Sequence, residues 1–237
     1  MKKWIAWICL LSISVNARII FQDTFDTATT DDINAEHAPR QSGGKIKSMY
    51  SFIKFPSSYK PASTIVDGQM KRVTGEALTL DANLARYFKD GNFTVSVDIT
   101  MPNADGTWSG MYIVTNSEKT RDKSVFGFHA WDSGNSSAFI VYGGTDGHQD
   151  ISIRNNEVSA CLGKNYDKTV KHTIQLVSRS KGRDAEGCTF DFVVDGVTVR
   201  KGIDYMFGDG KKCNLQFVAV TPADSAVYFD NLTITQD

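Results

Sequence analysis

The chain has 237 residues and a formal net charge of -1 at pH 7, with 26 Lys and Arg against 27 Asp and Glu. This balance argues against a nucleic acid or an anionic membrane as the partner, because such ligands are bound through an excess of basic residues. The acids are 22 Asp and only 5 Glu. Since Asp favours turns and disfavours helix interiors, this skew indicates a loop-rich β protein.

Residues 1–17 predict a signal peptide. Lys2 and Lys3 form a charged start, residues 4–15 are mostly apolar, and Val15-Asn16-Ala17 resembles a cleavage site with small flanking residues. The apolar stretch is shorter than the ~20 residues that span a bilayer, and no later stretch reaches that length. We therefore expect no membrane span and an exported protein, either secreted or held in the periplasm or at the cell surface.

The segment 18–44 predicts a short first strand and a long polar loop. Asp23 lies between Phe21 and Phe25, and polar residues without a helical period then lead to Gly43-Gly44. The next segments, "STIVDGQM" and "EALTLD", predict an edge hairpin. One or two helical turns are expected within 81–91, with Asp81 as the cap and Gly91 as the stop.

From Asn92 onward the sequence predicts one strand after another. "NFTVSVDIT" (92–100) alternates apolar and polar residues, which is the pattern of a half-buried strand. Further strands are predicted at 110–116, 125–131, 137–144, 150–156, 171–180, 188–202, 213–221 and 226–235, with a hairpin turn at Asp195-Gly196. Short strands without intervening helices or a linker predict a single all-β domain, an antiparallel sandwich or barrel.

The order of these segments resembles a known superfamily. "FQDTFD", "NFTVSVDIT", "TWSGMYIV", "VFGFHAW", "KHTIQLVS", "FDFVVDGVTV" and "AVYFDNLTIT" together resemble the concanavalin A-like lectin/glucanase superfamily, and within it the laminin-G-like jelly-roll domains of exported bacterial proteins. The resemblance covers residues 18–237. It implies a two-sheet antiparallel β-sandwich whose first strand pairs with its last, and whose concave face or loop edge binds a polysaccharide or glycan.

The same resemblance implies a structural calcium ion where the two chain ends meet. Members of the superfamily hold it with backbone carbonyls and an acid on the last strand. Asp230 matches that acid, and Asp23 and the carbonyl of Gly43 or Gly44 are further ligands by position. Calcium takes about six to eight oxygen ligands, so water would complete the set. The alternative is that Asp23 and Asp230 accept hydrogen bonds from buried backbone amides.

The carboxylate pattern of glucan hydrolases is absent. Laminarinase-type members of the superfamily use an E-x-D-x-x-E pattern that directs its acids to one strand face, and none of the five Glu begins such a pattern. Serine-hydrolase, zinc-protease and Cys-x-x-Cys motifs are also missing. We therefore expect a non-catalytic carbohydrate-recognition domain. A glycan hydrolase or lyase with acids on loops, and a surface adhesion or structural protein, are the alternatives.

Aromatic residues crowd three consecutive predicted strands. Sugars present apolar C–H faces, so their sites combine flat aromatic rings with nearby hydrogen-bonding groups. His129 and Trp131 share a strand face because residues two apart point the same way. The predicted carbohydrate-binding residues are Trp108, Tyr112, His129, Trp131, Asp132 and Tyr142. The alternative is that these rings fill the core, where about half of the aromatics are needed.

Three cysteines remain after the leader: Cys161, Cys188 and Cys213. An exported chain usually pairs its thiols, and three leave one over. If 171–180 and 188–195 form a hairpin and the chain returns at Asp195-Gly196, Cys188 and Cys213 begin their strands at the same end. We therefore expect a Cys188–Cys213 disulfide, with Cys161 free or intermolecular.

Overall fold

The structure is a computed structural model that describes residues 17–53, 63–88, 91–101, 107–115, 124–132, 137–143, 149–180, 188–205, 213–222 and 225–236. The predicted leader, apart from Ala17, therefore lies outside the described residues. The strands are β1 Arg18–Asp23, β2 Tyr50–Ile53, β3 Ser63–Val66, β4 Gln69–Arg72, β5 Ala77–Leu80, β6 Phe93–Thr100, β7 Trp108–Thr115, β8 Ser124–Asp132, β9 Ser137–Gly143, β10 Gln149–Arg154, β11 His172–Ser180, β12 Cys188–Val194, β13 Val197–Tyr205, β14 Cys213–Val220 and β15 Val227–Gln236. The helices are α1 His37–Arg40, α2 Ala85–Phe88 and α3 Asn155–Leu162.

The described strands form two antiparallel sheets. The eight-stranded sheet has the order β13-β12-β11-β6-β15-β4-β3, and β1 also pairs with β15. The seven-stranded sheet has the order β10-β9-β8-β7-β14-β5-β2. The predicted two-sheet sandwich is therefore confirmed.

The first strand pairs with the last, as the resemblance implies. β1 runs antiparallel to β15, with Arg18 opposite Gln236 and Asp23 opposite Leu232. The other edge of β15 pairs with β6 from Tyr228 opposite Thr100 to Gln236 opposite Phe93, with one register shift between Asp230 and Thr233. The last strand is thus central in its sheet, and its pairing with β1 holds the two ends of the chain side by side.

One hydrophobic core lies between the sheets. Alternate residues of each strand enter it, as in β6, where Phe93, Val95 and Val97 are fully buried. Aromatic rings from the two sheets meet there: the ring centroids of Phe139 and Phe192 are 5.2 Å apart. Such tilted contacts are the preferred geometry of aromatic pairs.

Two turns have the residues that their backbone requires. Asp195 and Gly196, between β12 and β13, both have positive φ angles of 50° and 78°. Asp67 and Gly68, between β3 and β4, have nearly the same values, 51° and 74°. Asp-Gly suits such two-residue hairpins because glycine and, to a lesser degree, aspartate tolerate this conformation. The hairpin predicted at Asp195-Gly196 is confirmed.

Two segments differ from the sequence-based expectation. "EALTLD" does not form a hairpin with "STIVDGQM": the latter folds on itself as β3 and β4, whereas β5 joins the other sheet beside β2 and β14. The strand expected at 150–156 ends at Arg154, and α3 begins at the next residue, Asn155. The Arg154 N–H donates to Glu157 Oε2 at 2.8 Å, a capping interaction that supports the helix start. No described helix is long and apolar enough to cross a membrane.

Candidate functional site

The seven-stranded sheet has a second apolar surface on the side away from the core. In β7, Met111 and Ile113 enter the core, whereas Tyr112 and Val114 point the other way. There they contact Ala77 of β5 and Val218 of β14, and Trp108 and Tyr142 pack at the edges of this cluster. We call this side the outer face.

Two tyrosines and a histidine form a hydrogen-bonded cluster on the outer face. The hydroxyl oxygens of Tyr112 and Tyr142 lie 2.9 and 2.8 Å from Nδ1 of His129. Tyr112 is fully buried, whereas His129 and Tyr142 are half-buried. The ring centroids of the two tyrosines are 5.4 Å apart. Each ring is therefore held in place by another polar side chain, which reduces the ordering that a ligand would have to impose.

Two tryptophans extend the cluster. Trp108 and Trp131 are directly opposite each other on β7 and β8, so their side chains lie on the same face. The Trp108 ring centroid is 5.5 Å from that of His129. Trp131 is 37% exposed, which leaves much of its ring open to a ligand.

A glycine gives the cluster its close packing. Gly110 is the partner of His129 across the β7–β8 pair, and a Cβ atom there would lie 2.6 Å from the His129 Cβ. Any larger residue at position 110 would therefore displace His129 from its position between the two tyrosines.

Among the residues that the structure describes, the central strands of the outer face carry no carboxylate pair. Among the described side chains of β5, β14, β7, β8 and β9 that point outward, none is Asp or Glu. Glycoside hydrolysis by the usual mechanisms needs two such acids about 5 to 10 Å apart. The chemistry available on these strands is instead ring stacking, hydrogen bonding and proton exchange through His129 and the two tyrosines.

The structure brings five of the six predicted carbohydrate-binding residues together. Trp108, Tyr112, His129, Trp131 and Tyr142 share the outer face. The side chain of Asp132 lies outside the described residues. The same face carries Thr79 and Gln216. These two residues are not recognisable from the sequence, because an isolated polar residue in an apolar strand has no distinctive pattern.

Asp23 lies in a buried network at the seam of the chain ends. Its Oδ1 accepts hydrogen bonds from Arg40 Nε and the Phe25 N–H, both at 2.9 Å. Its Oδ2 accepts from Gln41 Nε2 at 2.9 Å and from the Tyr50 hydroxyl at 3.1 Å. Burial, and then the Asp23 charge, raise the pKa of Tyr50 well above its usual value. The hydroxyl is therefore a donor at any ordinary pH.

These contacts do not fit a calcium ion at Asp23. All four partners are hydrogen donors, and one of them is a guanidinium with no exposed surface. Gly43 packs closely against Gln22: a Cβ atom at position 43 would be only 1.9 Å from Gln22 Oε1. Among the described residues, no group of three His, Cys, Asp or Glu is arranged to hold a metal. Calcium stays a prediction from the resemblance, and Asp23 is a poor candidate ligand for it.

Asp230 belongs to a separate cluster on the eight-stranded sheet. It lies opposite Asp98 of β6, and Lys171 Nζ is 3.3 Å from Asp98 Oδ2 and 3.9 Å from Asp230 Oδ2. Burial raises the pKa of Asp230, and the Asp98 charge raises it further, whereas the Asn231 N–H and Lys171 oppose the shift. A lysine ammonium therefore already lies between the two carboxylates.

The expected Cys188–Cys213 disulfide is not formed. Cys161, Cys188 and Cys213 are all free thiols. Cys188 begins a strand of the eight-stranded sheet, whereas Cys213 begins β14 of the other sheet and is completely buried. Burial also raises the pKa of the Cys213 thiol, so it behaves as a core residue rather than as a reactive group. The pairing expected from the sequence is therefore not found in the structure.

Comparison with known proteins identifies the fold. No family model matches this sequence, and no curated protein matches it. Solved structures do match over nearly the whole chain. A variant of alginate lyase Aly36B in complex with an alginate tetrasaccharide has a TM-score of 0.59 and 11% identity, and the match covers 93% of this chain and 97% of that one.

Two further solved structures match to a similar degree. A variant of LamA from Zobellia galactanivorans in complex with laminaritriose and laminaritetraose has a TM-score of 0.54 and 11% identity, covering 92% of this chain and 99% of that one. SCLam, a non-specific endo-β-1,3(4)-glucanase, has a TM-score of 0.55 and 10% identity, covering 94% and 96%. The chain therefore has the concanavalin A-like jelly-roll fold, as the sequence resemblance implies.

Proposed function

We propose that the protein is an exported carbohydrate-recognition domain that binds a polysaccharide or glycan on the outer face of its seven-stranded sheet. The observation that carries this proposal is the meeting of Trp108, Tyr112, His129, Trp131 and Tyr142 on one face. The export is inferred from the predicted leader, with its charged start and short apolar stretch.

The chemistry of the face suits a sugar chain. A pyranose ring has an apolar C–H surface that stacks on aromatic rings, and its hydroxyl groups need hydrogen-bonding partners. Trp131 offers a partly exposed ring, and Tyr142 and His129 add half-buried polar groups. The likeness of the fold to proteins solved with alginate and laminarin oligosaccharides also supports this proposal.

A second candidate is a polysaccharide lyase, and the contact of His129 with two tyrosine hydroxyls favours it. In β-elimination a base removes the proton next to a uronate carboxylate, the glycosidic C–O bond breaks, and an acid protonates the departing oxygen. Histidine and tyrosine side chains are able to transfer both protons, and no carboxylate pair is required. A lyase with this mechanism needs a substrate that contains uronic acid.

The test is calorimetric titration of the mature protein with alginate and laminarin oligosaccharides. We expect binding that is lost or at least tenfold weaker in Trp131→Ala, because the variant lacks the exposed ring. Val170→Ala is the matched control, since Val170 is 50% exposed and lies just before β11, on the other sheet. Equal affinities of the wild type and Trp131→Ala for a ligand that binds would contradict the proposed site.

Product formation separates the two candidate functions. A lyase acting on alginate forms an unsaturated uronate, whose carbon–carbon double bond absorbs in the ultraviolet. A steady increase in absorbance that His129→Ala and Tyr142→Phe abolish would establish the lyase and overturn the non-catalytic proposal. Binding without product release supports the recognition domain.

A further inference from the structure

Two polar side chains on the outer face are almost fully buried and have unpartnered atoms. Gln216 is 2% exposed and Thr79 is 7% exposed. Within the described part of the chain, Gln216 Nε2 and Thr79 Oγ1 have no hydrogen-bond partner. The large majority of buried side-chain polar atoms in folded proteins have a partner, so each exception needs an explanation.

Both side chains point away from the core. Their strand neighbours Leu78, Leu80, Leu215 and Phe217 all belong to the core between the sheets. Because side chains alternate along a strand, Thr79 and Gln216 lie on the opposite side. This is the face that holds the aromatic cluster.

Thr79 and Gln216 lie in the same cross-strand row as Tyr112 and Tyr142 of the proposed site. Gln216 is directly opposite Thr79 on β5 and directly opposite Tyr112 on β7. The row then passes through Gly127 of β8 to Tyr142 of β9. With neighbouring strands about 4.8 Å apart, a row that crosses five strands is about 19 Å long. This length suits a chain of several sugars lying across the strands.

We propose that Thr79 and Gln216 form a second subsite, which binds oxygen atoms of the far end of an oligosaccharide whose near end contacts the aromatic cluster. The inference rests on the proposed carbohydrate-binding function and adds to it a direction and a minimum length for the ligand. The amide of Gln216 donates to a sugar oxygen, and the Thr79 hydroxyl either donates or accepts. The ligand thereby satisfies the polar atoms that the fold leaves without partners.

The subsite predicts a dependence of affinity on chain length. Di-, tri- and tetrasaccharides of the alginate and laminarin series are titrated against the wild type, Thr79→Val, Gln216→Leu and the double variant. We expect wild-type affinity to increase with chain length. In Gln216→Leu the tetrasaccharide should bind about tenfold more weakly, the loss expected for hydrogen bonds to a ligand, whereas the disaccharide should bind as it does to the wild type.

Thermal unfolding of the same variants separates a binding role from a structural one. Replacing a buried, unpartnered polar group with an apolar one of similar shape is neutral or stabilising for the fold. We therefore expect the melting temperature of Gln216→Leu to equal or exceed that of the wild type while the affinity decreases. Gln175→Leu is the matched control, because Gln175 is a half-buried glutamine on β11 of the other sheet.

Three results would overturn the inference. One is tetrasaccharide affinity that is the same in Gln216→Leu and the wild type, which leaves the aromatic site intact. Another is a decrease in melting temperature in Gln216→Leu but not in Gln175→Leu, which would assign the amide a structural role. The third is a wild type that binds no member of either series, which overturns the proposed function together with the subsite.

Discussion

Arg40 and Asp23 form a completely buried ion pair at the seam of the sandwich, with Arg40 Nε 2.9 Å from Asp23 Oδ1 and no exposed surface on either side chain. Arg40 also donates to the Ala35 carbonyl at 2.7 Å and to the Ile33 carbonyl. One guanidinium thus fixes both the first strand and the loop after it. Removing it leaves a buried carboxylate and two carbonyls short of donors.

The first prediction concerns this ion pair. Arg40→Met should lower the free energy of unfolding by about 3 to 5 kcal/mol, the usual loss when one partner of a buried pair is removed. Urea denaturation measures the change. Arg200→Met is the control: Arg200 contacts Glu157 at 3.3 Å, but both side chains are over 40% exposed, so we expect a loss below about 1 kcal/mol. Similar losses in the two variants would show that the buried network contributes little.

A second prediction concerns calcium. Because Asp23 already accepts four hydrogen bonds and Asp230 lies beside Lys171, we expect the same melting temperature in excess calcium and in chelator. A ligand that binds only the native state at about 100 times its dissociation constant adds about 2.7 kcal/mol to stability. A clear stabilisation by calcium but not by magnesium would restore the metal site that the resemblance implies.

A third prediction follows from the raised pKa of Asp230. A carboxyl whose pKa is higher in the folded state keeps its proton longer there, so the folded state binds more protons between the two pKa values. The free energy of unfolding therefore decreases as pH rises, from the ordinary value of 3.8 to the raised value. Above that interval the charged carboxylate destabilises the fold.

Asp230→Asn should remove this part of the pH dependence. Above the pH interval between the two pKa values, Asp230→Asn should have a higher free energy of unfolding than the wild type. Below that interval the difference should be smaller. Urea denaturation across the acidic range measures both. Asp31→Asn, which changes an exposed carboxyl, is the control. In Lys171→Met the titration of Asp230, followed by NMR, should move to higher pH because the nearby cation is lost. A pH profile of Asp230→Asn parallel to that of the wild type would contradict the prediction.

The fourth prediction concerns the three free thiols. In the mature native protein, a thiol reagent should react rapidly with Cys161, which is exposed on α3, and more slowly with the half-buried Cys188. Cys213 should react only after unfolding, because it is fully buried and burial raises its pKa. All three thiols should react in denaturant without a reductant. Finding only one would establish a disulfide that the structure does not contain.

The strand pattern could be predicted wherever a strand has one buried face. β6 alternates from Phe93 to Thr100 because only one side enters the core, and Asp195-Gly196 specifies its turn locally. The segment "EALTLD" does not indicate which of the two sheets it joins. The partners of β5 are β2 and β14, and β14 is more than 130 residues away in the sequence. The sequence does not predict α3, because its first residues continue the pattern of the preceding strand. The helix start is recognisable only from the hydrogen bond between the Arg154 N–H and the Glu157 carboxylate.

The candidate site could be predicted only in part, for a similar reason. Tryptophan, tyrosine and histidine are conspicuous in a sequence, and alternation places Trp108 and Tyr112 on one face. Gln216 is not conspicuous, because its significance lies in an unpartnered amide beside Thr79. The side-chain partners of Asp23 likewise lie 17 to 27 residues further along the chain, and no short motif joins them.

The central place of β15 in its sheet affects how the molecule is made. β1, β4 and β6 all pair with this last strand, so the sheet stays incomplete until the ribosome has synthesised it. Contacts between residues so distant in sequence form slowly. A nascent chain that completes its sheet late stays unfolded for longer, and this delay is compatible with the export that we propose.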